Sequence, residues 1–288
     1  MTKPAHDTGP ILLITDLSAR CDRAMDRAVS IAKSQGVSLI ALNVMDTPWL
    51  TKLTQAAWRG LQEEHIAQAQ KRLRADLSHA NVDLDVRVET GNPIEVIEAI
   101  ANQYQCSLIV AGTARDETLG RILVGNTVER LARRTTTPLL VVRARPFGPY
   151  ARTVVATDFS EGSRQALLAA MRLCGEVPPT LYHAFDQVAG IYQLDEPTVA
   201  EETKALKQTA TDFLRSTLGQ NSVTPPYVIE HGIAEQLLPS YVDSHDIELV
   251  VMGTQGATGV VRTAMSSVAE TLLNNLKCDV LVVPQTRR

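Results

Sequence analysis

No stretch of the chain approaches the roughly 18 consecutive apolar residues that a membrane-spanning helix needs. The polar opening MTKPAHDTG has no basic start followed by an apolar signal-peptide core. The sequence therefore reads as a cytoplasmic protein without a membrane partner. Cysteine is scarce: Cys21, Cys106, Cys174 and Cys278 are four of 288 residues, and none lies two to four positions from another. That spacing argues against a zinc site and a disulfide framework and leaves reduced, mostly buried thiols. An excess of positive charge is also missing. The net charge of −4 divides into +2 on residues 1–148 (18 basic, 16 acidic) and −6 on residues 149–288 (10 basic, 16 acidic). Neither half carries the basic footprint of a nucleic-acid binder, and the acidic second half repels a polyphosphate unless local dipoles offset that charge.

Familiar catalytic signatures are missing as well. There is no G-x-x-x-x-G-K-[ST], hence no lysine and magnesium-binding hydroxyl of a P-loop NTPase, and no G-x-S-x-G elbow. The six histidines show no H-E-x-x-H pairing. His183, at the end of a strand, is the one that faces a site if any does, although packing is its commoner role.

What the chain does contain is a copy of itself. ILLITDLSARCDRAMDRAVSIA (11–32) aligns with TVVATDFSEGSRQALLAAMRLC (153–174), which sets Thr15 and Asp16 on Thr157 and Asp158 at an offset of 142. Further on, Gly91 matches Gly232, Gly112 matches Gly253, and TPLLVVR (137–143) falls on CDVLVVP (278–284), all at 141. A register held that closely means two complete copies of one domain, expected at 1–146 and 151–288, with RARPFGPYAR (143–152) as linker.

Each copy reads strand, helix, strand, long helix, strand, helix, strand, helix, strand. The strands are short Val/Ile/Leu runs, without alternation except where Asp85 and Arg87 interrupt the third: Ile11–Ile14, Leu39–Val44, Leu84–Val88, Leu108–Ala111 and Leu139–Val142. Such runs suit a parallel sheet buried on both faces. The fold class is α/β: two tandem three-layer α/β/α domains, each a doubly wound, mostly parallel five-stranded sheet of Rossmann-like form. Ligands bind such sheets beyond the carboxyl ends of the strands, where the winding reverses. Asp16 and Asp158 fall there. Their carboxylates suit a ribose or an adenine amine, and equally suit capping the next helix together with Ser18 and Ser160. The glycine-rich loop after the fourth strand, VVMGTQGATG in the second copy, suits either an anion cradle or a sterically tight turn.

Aspartate, loop and repeat together resemble the universal stress protein family in its tandem form, across essentially the whole chain. The resemblance implies an adenine nucleotide alpha hydrolase-like fold and, in one copy, a bound adenine nucleotide, ATP or AMP, with magnesium for a triphosphate. In the family's nucleotide-binding members the loop carries two glycines separated by two residues, then nine residues, a third glycine and Ser or Thr. Here the motif is incomplete twice. The first copy keeps Gly112 and Gly125 but has Arg115 for the second glycine and Asn126 for the Ser/Thr, followed by Thr127. The second keeps Gly253, after Met252, and Gly256 but has Ser266 for the third glycine, followed by Ser267. Motif count favours the second copy and charge favours the first, and the balance tips slightly to the second. Val44 and Ala184 match the family's adenine-contacting position at the end of strand two, where core packing is an equal explanation.

The resemblance also implies a stress-response binding protein without robust turnover. Rivals are an interaction scaffold serving protein partners through two degenerate sites, and a weak ATPase with Ser266 or Ser267 as phosphate acceptors. Family dimers pair through their last strands, so a pseudo-dimer of PLLVVR with DVLVVP within one chain is implied, and a homodimer of chains stays open. Trp49 and Trp58 read as core anchors or contact residues.

Overall fold

The structure is a computed structural model that describes residues 9–46, 55–116, 121–175, 177–186, 196–219, 224–254 and 265–285. Trp49 and Gly256 lie outside the described residues. The chain divides into two compact units between Gly148 and Pro149, inside the Pro- and Gly-containing linker.

The first domain runs β1 (Ile11–Ile14), α1 (Asp22–Gln35), β2 (Leu39–Met45), α2 (Gln55–Asp76), β3 (Leu84–Thr90), α3 (Pro93–Gln103) and β4 (Leu108–Gly112). It continues with β5 (Ala114–Asp116), β6 (Arg121–Leu123), α4 (Asn126–Arg134) and β7 (Leu139–Val142). Its main sheet has the order β7-β4-β1-β2-β3 with every pair parallel. The strand interiors explain this choice: Ile11, Leu12, Leu13, Leu39, Leu42, Ile109, Leu139 and Leu140 are fully buried. Successive residues point to opposite faces, so a run without polar breaks needs helices on both. Right-handed crossovers supply them, with α1 and α2 on one face and the mutually packed α3 and α4 on the other.

Local signals set the helix ends. α1 buries the stripe Ala24, Ala28, Ile31 and Ala32. It stops where Gly36 takes a left-handed φ of 67° and its N–H closes on Ala32 and Lys33. α3 starts at Asn92, whose side chain accepts from the Ile94 N–H with Pro93 in the first helical position.

The second domain repeats the plan as β8 (Thr153–Ala156), α5 (Glu161–Cys174), β9 (Thr180–Phe185), α6 (Glu196–Leu218) and β10 (Tyr227–His231). It ends with α7 (Ala234–Ser244), β11 (Leu249–Gly253), α8 (Ser267–Asn275) and β12 (Asp279–Val283). The parallel order is β10-β9-β8-β11-β12. In each domain the winding reverses between the first strand and the fourth, β1 beside β4 and β8 beside β11, so each sheet has its topological switch point at the ends carrying the paired aspartates. Among the described residues no helix is long and apolar enough to cross a membrane.

The β5–β6 hairpin was not expected. It forms inside the loop read as a glycine-rich turn, with residues 117–120 between its strands.

Candidate functional site

Each first strand ends in the same turn, written Thr-Asp-Leu-Ser in one domain and Thr-Asp-Phe-Ser in the other. Leu17 and Phe159 adopt left-handed φ values of 63° and 62°, a conformation costing a side-chain-bearing residue about 1–3 kcal/mol. Two side chains per turn offset that cost. Thr15 Oγ1 accepts from Leu17 N–H at 3.0 Å and Asp16 Oδ1 from Ser18 N–H at 2.9 Å. Thr157 and Asp158 repeat both bonds at 2.9 and 3.0 Å. A further donor reaches each carboxylate from the next helical turn: Cys21 Sγ, 3.2 Å from Asp16 Oδ1, and Ser163 Oγ, 2.7 Å from Asp158 Oδ1. The aspartates thus hold their turns, but Ser18, expected to cap alongside Asp16, makes no side-chain capping bond. In the second domain Ser160 also caps α5 through Ser163 N–H.

In the first domain Asp16 also lines a cavity. A space of about 230 Å³ opens at the carboxyl ends of β1, β2 and β4, walled by Ile14, Leu42, Val44 and Ala111 and by Pro93 and Ile97 of α3. Its polar lining comes from Thr15, Asp16, Cys21, Thr113 and Thr127, with Gly112 and Gly125 closing it toward α4. Burial pushes the Cys21 thiol above its ordinary range. A hydrogen bond with Thr15 works against that, and the Asp16 charge adds to it. Six residues picked from the sequence meet here: Thr15, Asp16, Val44, Gly112, Gly125 and Thr127. Asn126 is exposed at the first position of α4 and does not line the cavity. Arg115 falls on β5 opposite Ile122. Gly125 has an ordinary φ of −65°, and a Cβ there would meet nothing within 4 Å. Neither backbone conformation nor packing requires glycine at this position. It caps α4 without a side chain, leaving the positive end of that helix open to the cavity.

Residues 8–143 and 149–284 each match the sequence profile of the universal stress protein family. The chain belongs to this family. Universal stress protein E of Salmonella typhi is 23% identical over 224 residues, 71% of this chain and 69% of that protein. A Staphylococcus aureus protein carrying the universal stress protein name is 26% identical over 151 residues, 51% of this chain and 91% of its own. Among solved structures, a universal stress protein from Archaeoglobus fulgidus covers 97% of this chain and 99% of its own with a TM-score of 0.71 at 18% identity. At that identity the likeness speaks for the fold.

The two universal stress protein domains differ at positions that wall the cavity. Strand register puts Tyr182 in the place of Leu42 and Met252 in the place of Ala111. Both larger side chains are buried. The Tyr182 hydroxyl donates to Glu230 Oε2 and its ring packs 5.0 Å from that of Tyr241. Ser266 stands where the first domain has Gly125, and its hydroxyl accepts from Ala269 N–H at 3.2 Å, so it caps its own helix. Val268 replaces Thr127, and Ser267 is exposed at the first position of α8. Gly253 has a packing reason: a Cβ there would lie 3.0 Å from backbone atoms of Gly162. Thr157 is buried, and Ala184 is half-buried on β9. The balance of motif and charge tips slightly to the second copy, yet that copy carries the larger residues Tyr182 and Met252 where the first has Leu42 and Ala111.

His183 bonds to the carbonyl of Thr157 through Nδ1 at 2.7 Å, and its ring lies 4.6 Å from that of Phe159. Leu42, Ile97, Cys21 and Thr113 were not picked from the sequence. Reading the repeat at the strand ends, where Leu42 aligns with Tyr182 and Ala111 with Met252, would have found the wall difference.

Proposed function

We propose that this protein is a stress-response binding protein whose first domain holds an adenine nucleotide and whose second is a structural copy. The observation that carries this reading is the first-domain cavity, where Asp16, Val44, Gly112, Gly125 and Thr127 line one space at the switch point of the sheet. Asp16 is already fixed by its turn, so its carboxylate is oriented before a ribose arrives, which limits the ordering cost of binding. The apolar surfaces of Val44, Leu42 and Ile97 suit the face of a base. In this reading the protein acts by occupancy rather than turnover. Support comes from the second domain, whose corresponding side chains bond to their own framework through Ser266 and Tyr182.

Thermal unfolding of the full chain with AMP tests the proposal. At a ligand concentration a hundredfold above Kd the gain is about 2.7 kcal/mol. The rise in midpoint is expected to persist in Asp158→Ala and to disappear in Ala111→Met, which places the second domain's own residue in the cavity. A rise untouched by Ala111→Met, or no rise together with no nucleotide released from the denatured protein, overturns the reading.

A further inference from the structure

The loop between β4 and α4 borders the cavity at both ends, with Gly112 and Thr113 on one side and Gly125 and Thr127 on the other, and its segments 114–116 and 121–123 form a hairpin. β5 and β6 pair antiparallel, Ala114 opposite Leu123, Arg115 opposite Ile122 and Asp116 opposite Arg121. Successive N–H groups of an extended strand point in alternating directions, and those in the ladder donate to the partner strand. An anion nest needs the opposite arrangement, a curled backbone that aims successive N–H groups at one point.

Two further properties of the cavity point the same way. Its lining includes the Asp16 carboxylate, held in position by Ser18 N–H and Cys21 Sγ, among largely apolar walls. Asp16 is exposed, so solvent screens part of the repulsion between its charge and a phosphate, and each added phosphate adds to what remains. The cavity volume of about 230 Å³ is also below the roughly 300–1,000 Å³ typical of sites for drug-sized ligands. A nucleoside fits that scale better than a nucleoside with a triphosphate tail.

We propose that the first-domain cavity selects a nucleoside or nucleoside monophosphate, adenosine or AMP, over the triphosphate. This inference rests on the adenine-nucleotide reading of the same cavity. The preference comes from the hairpin, which removes the phosphate cradle, and from Asp16, which opposes accumulated negative charge.

The test is calorimetric titration of the full chain with adenosine, AMP, ATP and Mg-ATP at one ionic strength. AMP is expected to bind at least tenfold more tightly than ATP, with or without magnesium, and adenosine to bind measurably without any phosphate. A smaller difference, the reverse order, or an absence of adenosine binding overturns the selectivity while leaving the adenine-nucleotide reading in place. No heat from any of the four ligands overturns both. Leu42→Tyr, which introduces the second domain's residue, is expected to abolish AMP binding, and retained binding in that variant overturns the placement in this cavity.

Discussion

Asn43 and His183 occupy the same place in their two domains and perform the same task. Asn43 Nδ2 donates to the carbonyl of Thr15 at 2.9 Å, and His183 Nδ1 meets the carbonyl of Thr157 at 2.7 Å. A carbonyl only accepts, so Nδ1 carries the proton. Each bond ties the second strand to the residue preceding the site aspartate, and so fixes where that aspartate stands. Replacing buried Asn43 by Leu leaves the Thr15 carbonyl without this donor, and a loss of about 1–3 kcal/mol is expected in urea unfolding. His183→Asn, which restores the first domain's solution, is expected to cost less than His183→Leu. Equal losses for these two variants would show that ring packing, not the hydrogen bond, is what matters.

Tyr182 gives a pH signature. Burial first, then the hydrogen bond to Glu230 and its charge, push the phenol far above its ordinary range. A folded-state value above the unfolded one, about 10, means that the stabilisation is complete below pH 10 and fades as pH rises toward the folded value. Ultraviolet titration is expected to show Tyr182 ionising only with unfolding, whereas Tyr182→Phe removes that late step. Tyr182→Phe also leaves Glu230 short of a donor, at an expected cost of about 1.5–3 kcal/mol.

Gly253 at the end of β11 and Gly125 at the start of α4 are predicted to respond differently to alanine. Gly253→Ala forces a Cβ to within 3.0 Å of the Gly162 backbone, an overpacking expected to cost about 1–3 kcal/mol. Gly125→Ala meets open space at an ordinary φ. Its small capping loss is offset by about 0.4–1 kcal/mol from a less flexible unfolded chain, so stability should change little. Chemical denaturation of both variants decides the matter, and a loss for Gly125→Ala matching that for Gly253→Ala would contradict the contrast.

Cys21 offers a direct probe of the cavity. Cys21, Cys106, Cys174 and Cys278 are all buried, and Cys21 lines the cavity. A small alkylating reagent is expected to modify Cys21 before the others, and AMP to slow that modification. Because the thiol titrates above its ordinary range, the reaction rate is expected to keep climbing through pH 9 instead of levelling off. Peptide mapping after timed alkylation reads both effects, and a rate insensitive to AMP would count against occupancy of the cavity.

The sequence by itself determined the architecture. Aliphatic runs such as Ile11–Ile14 and Leu108–Ala111 carry no polar break, so they had to lie in a sheet covered on both faces, and a register of 141–142 residues made the second domain a repeat of the first. Thr15 and Asp16 were legible because they end a strand at the switch point of such a sheet, whereas Val44, Gly112, Gly125 and Thr127 were legible through the resemblance to the universal stress protein motif. Tertiary structure alone decided what those residues face. The repeat aligns Leu42 with Tyr182, but only the packing of α3 and α7 shows that one borders a cavity while the other packs on Tyr241 and bonds to Glu230. The hairpin was hidden for the same reason. Its three-residue strands are too short for periodicity to reveal, because cross-strand pairing forms them and pairing partners are a property of the folded chain.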